Sequence, residues 1–259
     1  MSLSVLPLSQ AHLNLLETCP RRFQYVFDQS LAVPPTPQGQ DAALWGNQFH
    51  LLMQQQALGL PIDVMATAHG DLIARVEALQ QRAPQLFHTE ASEQLRQSEH
   101  QRTLAFNGYV FTVIYDLLVL TANTGLIVDW KTYLKPPPRE RLTYDWQTRL
   151  YLYVLAETSG LVPEQLSMVY WFVRHRDDRG ETLPPSDYRF GYSQPQHERT
   201  AADLRRLSNR LSEFRQRGEF PQTPHIDRCE RCPFQIRCQR WQRPDLSTDL
   251  DAIEEISLG

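Results

Sequence analysis

The sequence predicts an α/β protein with a small mixed sheet flanked by helices. Two apolar runs, at 109–115 and 126–132, are separated by turn residues at 121–125, which is typical of a β-hairpin. A third apolar run, at 166–173, is typical of a buried strand. Apolar residues recur at helical spacing over 204–214. The chain therefore combines strands with amphipathic helices.

The other predicted elements follow from the positions of proline, glycine and turn residues. A short helix is expected over 9–16, and several helices are expected over 41–97 with breaks at Pro61 and Pro84. The core then continues with a proline loop at 136–138, a helix from 147 to 160, a turn at 177–180 that leads to a further strand pair, and a helix over 197–217 that ends at Gly218.

Composition indicates one globular protein with appendages. The chain has 259 residues, of which 41% are hydrophobic, and it shows no repeat, no heptad pattern and no transmembrane run. The predicted segments are 1–33 with an N-terminal helix and the first cysteine, 34–100 as a helical region, 101–196 as the core, 197–243 as a basic helix with three cysteines, and 244–259 as an acidic tail.

Charge is distributed unevenly along a chain whose net charge is -4. Residues 199–243 hold eleven arginines and five acids, whereas 245–259 hold five acids and no base. The basic stretch could bind phosphates, or it could be a solvated helix face with intrahelical ion pairs. The acidic tail could fold back over it or only aid solubility. Candidate base-stacking side chains, for which core packing is the alternative, are Phe23, Tyr25, Trp45 and Trp241.

Asp129 and Lys131 lie two residues apart in an apolar strand, so their side chains share one face. The chain has 24 arginines but only two lysines, one of which stands here. Asp116 ends the preceding apolar run and can approach Asp129 across strands about 5 Å apart. Two such carboxylates could share Mg²⁺ or Mn²⁺, and Lys131 could stabilise developing negative charge, although an ordinary surface hairpin has similar residues.

Three more residues complete an ordered set. His50 lies in a predicted helix upstream, and Gln147 and Tyr151 are four residues apart on one face of a later helix. The order His50, Asp116, Asp129-x-Lys131, Gln147-x-x-x-Tyr151 resembles the RecB-like branch of the PD-(D/E)XK nuclease superfamily. The resemblance covers roughly residues 9 to 241 and implies the fold of that superfamily's nuclease core.

Carried over to this chain, the resemblance implies that His50, Asp116 and Asp129 bind the metal ion and that Lys131 is the catalytic lysine. It implies that Gln147 and Tyr151 support the catalytic groups or orient DNA. Glu99 precedes the first hairpin strand where many relatives have a glutamate, but its polar surroundings do not define a role. The family usually has glycine three residues before the first metal aspartate, where this chain has Val113, so the local strand path is in question.

Four cysteines form a separate motif, with Cys19 near the start and Cys229, Cys232 and Cys238 near the end. Their spacing is compatible with either zinc or an iron–sulfur cluster. The resemblance extends to these positions, because AddB-type and CRISPR-associated RecB-like nucleases join their chain ends by an iron–sulfur clasp. It therefore implies a structural [4Fe-4S] cluster that joins the two ends of this chain.

The expected function is a metal-dependent DNA exonuclease that acts on single-stranded or frayed ends in repair or recombination. The alternatives are a CRISPR spacer-processing nuclease and an iron–sulfur DNA-binding scaffold with a vestigial nuclease centre. The sequence has no phosphate loop, since neither lysine follows glycine, so any helicase coupling would have to come from another chain. In the CRISPR alternative the partner would be an integrase chain. The N-terminus lacks the features of a signal peptide, which predicts a cytoplasmic protein.

Overall fold

A five-stranded mixed sheet forms the centre of the computed structural model, which describes residues 7–31, 37–62 and 70–240. The strands lie in chain order, and all neighbours are antiparallel except β3 and β4. This confirms the predicted α/β fold with a mixed sheet. The strands are β1 (Glu93–Phe106), β2 (Tyr109–Thr121), β3 (Gly125–Lys131), β4 (Leu166–Phe172) and β5 (Ser186–Gly191).

Seven α-helices in the described ranges flank the sheet. The parallel connection from β3 to β4 contains two of them, as parallel strands require a crossover. The helices are α1 (Gln10–Thr18), α2 (Pro20–Phe23), α3 (Pro37–Ala57), α4 (Gly70–Arg82), α5 (Arg139–Tyr144), α6 (Trp146–Ser159) and α7 (Gln194–Arg217). None of the described helices has the length and apolar character needed to cross a bilayer.

Each face of the sheet packs against its own group of helices. On one face, α1, α6 and α7 bury Leu16, Leu150 and Leu207 against β2 to β5. On the other face, α3 and α4 bury Phe49 and Leu72 against β2 to β4. Burial of one such side chain contributes about 1.5–3 kcal/mol, so both faces hold the sheet between helices.

Polar groups connect the helices of the larger core. The indole of Trp146 at the start of α6 donates a hydrogen bond of 2.8 Å to Glu17 on α1. Arg206 on α7 pairs with the same glutamate at 3.0 Å and with Asp203 at 3.1 Å. Arg149 on α6 pairs with Asp203 as well. These contacts fix α6 between α1 and α7.

Several sequence predictions need correction. Helices were expected to continue to residue 97, but the polar stretch from Glu93 onward forms β1, because it pairs with the long apolar β2. The strand β2 continues to Thr121, so Asp116 lies inside it and not at its end. The region after β4 holds β5 and a single bridge between Arg176 and Thr182.

The aromatic candidates for base stacking are mostly core residues. Phe23 is fully buried and Tyr25 is 6% exposed. Trp45 stacks on Phe49 and lies under Arg174. Trp241 and the predicted acidic tail lie outside the described residues.

Arginines of the predicted basic helix also have partners within the protein. The Arg205 guanidinium lies over the Phe106 ring, Arg215 pairs with Asp28, and Arg206 pairs with Glu17. Among the contacts of these three arginines, only the Arg206–Asp203 pair lies within the helix, as the alternative of intrahelical ion pairs expects; Phe106, Asp28 and Glu17 lie on other elements.

The ion pairs of Asp203 give the fold a defined pH dependence. Burial raises the pKa of Asp203, but hydrogen bonds from Arg149 and Arg206 outweigh it and hold the pKa below its ordinary value. Ionised Asp203 therefore stabilises the fold above its unfolded-state pKa of about 3.9, and this contribution is lost as the pH falls through the folded-state pKa.

Asp203→Asn will therefore lower the midpoint of thermal unfolding at pH 7, by about 2–4 °C if 1 kcal/mol is lost. The difference from wild type will shrink as the pH falls below about 3.9 toward the folded-state pKa, because the wild-type carboxylate is then protonated too. Glu213→Gln, which removes a charge from an exposed position of the same helix, is the control. A deficit that stays constant as the pH falls would contradict this account.

Candidate active site

The two predicted carboxylates lie on adjacent strands. The β2–β3 register pairs Leu117 with Val128, which places Asp116 across from Asp129. The backbone N–H of Trp130 donates a hydrogen bond of 2.7 Å to Asp116 Oδ2. Asp116 is 9% exposed and Asp129 is 3% exposed, so both carboxylates have little contact with solvent.

Strand β2 changes faces at Asp116. Val113 and Tyr115 pack in the core of α1, α6 and α7, whereas Leu117 and Val119 pack in the core of α3 and α4. Regular alternation along a strand would keep all four side chains on one face, so the strand is locally irregular where it presents this carboxylate.

Glu99 on β1 lies at the same level of the sheet. The flanking pairs Ser98–Leu117 and His100–Tyr115 place it across from Asp116. Its φ is +50°, a left-handed value that costs a non-glycine residue of order 1–3 kcal/mol. The irregularity therefore affects both strands and turns two acidic residues toward the same space.

Helix α3 adds a histidine to these carboxylates. His50 Nδ1 lies 3.4 Å from Asp116 Oδ1. His50, Glu99 and Asp116 each offer one ligand atom, and these atoms lie within 4.8 Å of one another. Within the described ranges this is the one group of three such residues. The sequence prediction grouped Asp129 with His50 and Asp116 as metal ligands. In the structure the third member of the closest group is Glu99.

A glycine sets the distance between α3 and the sheet. A Cβ atom at Gly46 would lie 3.1 Å from Thr132 Oγ1, tighter than an ordinary contact. His50 follows about one helical turn later. The close approach at Gly46 therefore brings His50 to Asp116.

The charges of this group influence one another. Burial lowers the pKa of His50, but the carboxylates of Asp116, Asp129 and Glu99 outweigh it and raise the pKa above its ordinary value. Burial and the nearby Asp116 raise the pKa of Glu99. Both shifts reflect the influence of neighbouring negative charge on partly buried groups.

Asp129 lies in a second polar group with Lys131 and Gln147. Lys131 Nζ is 2.8 Å from Asp129 Oδ2 and donates a hydrogen bond of 2.6 Å to Gln147 Oε1. Gln147 Nε2 in turn donates to Asp129 Oδ1 at 2.5 Å. The three side chains close a ring of contacts, which holds the lysine at a defined place beside the two aspartates.

The start of α6 positions Gln147 in this ring. Asp145 caps the helix by accepting a hydrogen bond of 2.8 Å from the N–H of Gln147. The helix ends at Gly160, which is left-handed with φ of +75°. Tyr151 follows one turn after Gln147 and is 4% exposed, and burial, with Asp129 and Asp116 nearby, raises its pKa.

Burial shifts the pKa values of Asp129 and Lys131 in opposite directions. Burial raises the pKa of Asp129, and Lys131 only partly offsets this increase. Burial lowers the pKa of Lys131, but Asp129 and the neighbouring Tyr133 outweigh it and raise the pKa. The Lys131 ammonium also lies 4.8 Å from the centre of the Tyr170 ring. The lysine is therefore held in its charged form.

The two polar groups share one open cleft of about 590 Å³. It is bounded by α1, α3, α6 and strands β1 to β3. The lining residues are Gln10, Asn47, His50, Leu51, Gln54, Glu99, Ile114, Asp116, Asp129, Trp130, Lys131, Thr132, Tyr133, Gln147 and Tyr151. All six predicted residues of the catalytic and metal set therefore face the same space, together with Glu99.

The four cysteines lie where the two ends of the described chain meet. Burial raises the pKa of Cys238, and the nearby thiols of Cys19 and Cys232 raise it further. Cys229 accepts a hydrogen bond of 3.7 Å from Arg240. All four cysteines are free and partly buried.

Packing around these cysteines joins the N-terminal helices to the C-terminal segment. The N–H of Arg21 donates a hydrogen bond of 3.0 Å to the carbonyl of Pro221. Phe23 stacks on Phe220 at 6.1 Å, and Tyr25 lies 5.1 Å from Phe234. The structure thus brings the ends together through aromatic contacts that spacing alone did not predict.

Glu99 is the residue whose place the sequence did not define. Its neighbours Gln97, Ser98 and His100 are polar, so β1 lacks the apolar alternation that marks a buried strand. The pairing of β1 with β2 places Glu99 across from Asp116. Val113, where relatives usually have glycine, is 1% exposed and paired with Arg102, so valine fits an ordinary strand there.

The fold of this chain is similar to that of a protein of solved structure. A crystal structure described as that of a "putative exonuclease" from Eubacterium rectale has 12% sequence identity, covers 93% of each chain and gives a TM-score of 0.55, which shows a similar fold. The crystal structure of SSO0001 has 12% sequence identity and a TM-score of 0.43, and the alignment covers 90% of this chain and 85% of the SSO0001 chain. No curated protein sequence matches significantly.

A family model described as "PD-(D/E)XK nuclease superfamily" matches residues 7–239. The match includes the five strands, all seven helices and every residue of the cleft. It also extends over the four cysteines. The chain therefore belongs to the PD-(D/E)XK nuclease superfamily.

Proposed function

We propose that the protein is a divalent-metal-dependent DNA exonuclease that acts on single-stranded or frayed ends in DNA repair or recombination. The observation that carries this proposal is the juxtaposition in one cleft of a possible metal site with a charged lysine. The metal site would consist of His50, Glu99 and Asp116, and the lysine is Lys131.

The donor atoms fit Mg²⁺ or Mn²⁺. Carboxylate oxygens are preferred ligands of these hard cations, and Mg²⁺ keeps its ligands at about 2.0–2.1 Å. Atoms within 4.8 Å of one another need only small side-chain movements to surround one ion. Asp129 lies across from Asp116 and is available as a further ligand. A bound cation would polarise the phosphodiester and favour ionisation of the attacking water.

The protein groups then divide the work. Lys131 places a fixed positive charge where negative charge develops on the phosphate oxygens or the attacking water. Gln147 holds both Lys131 and Asp129, so it keeps the lysine from moving out of the cleft. Because these groups are arranged before the substrate binds, little reorganisation is needed during the reaction.

The complete set of polar groups supports an active enzyme over a vestigial scaffold. A buried lysine and buried carboxylates are costly to keep, and each here has a partner that serves the same arrangement. The alternative of a CRISPR spacer-processing nuclease differs in the biological pathway and not in the chemistry of the site. The partner chain would be a helicase in DNA repair and an integrase in the CRISPR pathway.

We further propose that Cys19, Cys229, Cys232 and Cys238 bind a [4Fe-4S] cluster. A zinc ion is the alternative centre for these four cysteines. The support is that the segment of Cys19 packs on the segment of the other three cysteines, through the Arg21–Pro221 hydrogen bond and the Tyr25–Phe234 contact, and that burial and then the thiols of Cys19 and Cys232 raise the pKa of Cys238. Thiolates are the protein ligands of both centres. Either centre would stabilise the junction between α2 and the C-terminal segment.

Lys131→Ala will reduce kcat for DNA cleavage at least about 100-fold, the loss typical of removing one group that stabilises developing charge. Lys135→Ala is the matched control, because Lys135 is the only other lysine and its side chain is 88% exposed. Circular dichroism will show whether each variant is folded. Full cleavage by a folded Lys131→Ala protein would overturn the assigned centre.

Glu99→Gln will weaken Mn²⁺ binding, because it replaces a charged ligand with a neutral one, and will raise thermal stability without metal, because it removes repulsion from Asp116. Isothermal titration calorimetry and thermal unfolding in a chelator measure the two effects. Glu90→Gln, an exposed position nine residues earlier, is the control. Unchanged Mn²⁺ affinity would remove Glu99 from the metal site.

Protein purified without oxygen will contain iron and acid-labile sulfide in nearly equal amounts, and Cys232→Ala will lose both and unfold at lower temperature. Elemental analysis with a sulfide assay gives the result. Stoichiometric zinc without sulfide would decide for the zinc alternative.

A further inference from the structure

We propose that Tyr133 stacks on the base next to the scissile phosphate and so selects single-stranded ends. The inference rests on the proposed nuclease function and adds the residue that would recognise the substrate. Tyr133 is neither a ligand of the proposed metal site nor a hydrogen-bonding member of the Asp129–Lys131–Gln147 ring, and its exposed side chain lines the cleft beside Lys131.

The position of Tyr133 is suited to such a contact. It follows Lys131 by two residues, just after β3 ends. The centre of its ring lies 5.8 Å from Lys131 Nζ, and the residue is 45% exposed. A base that lies on this ring would have its phosphate near the lysine and the proposed metal site.

Other apolar side chains are exposed in the same cleft. Leu51 on α3 is 43% exposed and Ile114 on β2 is 44% exposed. With Tyr133 they supply apolar surface on three elements around one polar centre. Such surface suits the flat face of a base, and stacking on it accepts any base.

The cleft offers few positive charges to the phosphates of any nucleic acid. Among the described lining residues, the cationic or potentially cationic side chains are Lys131 and His50, against the carboxylates of Glu99, Asp116 and Asp129. Proteins that bind duplex DNA neutralise many phosphates with lysine and arginine. Affinity within this cleft must therefore come from the proposed metal ion, from stacking and from neutral amides such as that of Asn47.

The geometry of stacking leads to unpaired substrates. In a duplex the faces of an internal base are covered by its neighbours, so a base must leave the stack before it can lie on Tyr133. Single-stranded or frayed ends offer such bases at the lowest cost.

The test is steady-state cleavage of a single-stranded oligonucleotide by the full-length protein with Mn²⁺. Tyr133→Ala will raise KM about 5- to 150-fold, the range that loss of one base–aromatic stack covers, with little change in kcat. Tyr133→Phe and Tyr133→Trp keep a ring and will retain a low KM. Tyr144→Ala is the matched control, because Tyr144 is 69% exposed on α5 and does not line the cleft.

A substrate without the base next to the scissile phosphate makes the test specific. Wild type will cleave this abasic substrate with a raised KM, whereas Tyr133→Ala will treat the abasic and intact substrates alike. The preference for single strands over blunt duplexes will also fall in Tyr133→Ala. An unchanged KM, an equal abasic penalty in both proteins, or a loss confined to kcat would overturn the stacking role.

A binding measurement separates this proposal from the nuclease function. Oligonucleotides with 2-aminopurine at either end will lose fluorescence on binding to metal-free wild type, but not on binding to Tyr133→Ala. If wild type cleaves no DNA, the proposed nuclease function fails, and this quenching still supports the stacking role. Equal quenching by both proteins would overturn it.

Discussion

Repulsion among three carboxylates is the constraint on which the rest of the site depends. Glu99, Asp116 and Asp129 line one open cleft, and because Asp116 and Asp129 are themselves nearly buried, water screens their charges poorly. Burial first, and the charge of Asp116 in addition, raise the pKa values of Glu99 and Asp129. Lys131 compensates part of this charge, and a divalent cation would compensate the remainder. The site is thus built to favour a bound cation over an empty state.

The scaffold stabilises this unfavourable arrangement from several sides. Long antiparallel pairing of β1 and β2 holds Glu99 in its left-handed conformation. The close approach at Gly46 holds His50 on α3, and the Asp145 cap holds Gln147 on α6. The helices themselves are fixed by two separate cores, so each functional side chain stands on a rigid element.

The sequence predicted the parts of this site that depend on local spacing. Asp129 and Lys131 share a strand face because they are two residues apart, and a hairpin with a clear turn brings Asp116 beside them. The sequence did not predict the extent of β1, because its polar residues carry no alternation and its pairing with β2 is a tertiary effect. For the same reason Glu99 had no defined role.

Long-range contacts explain the other differences. The arginines of α7 looked available for phosphates, but their partners Glu17, Asp28 and Phe106 lie far away in the sequence. Phe23 and Tyr25 pack on residues near 220 and 234, so they became core side chains. The sequence analysis did not identify Tyr133, because only the fold places it at the cleft.

The most direct test of the account is an anomalous-scattering map from crystals grown with Mn²⁺. The account predicts one strong peak between His50, Glu99 and Asp116, on the side of Asp116 that faces the cleft. A protein that cleaves DNA but shows no Mn²⁺ peak among these three residues would contradict it.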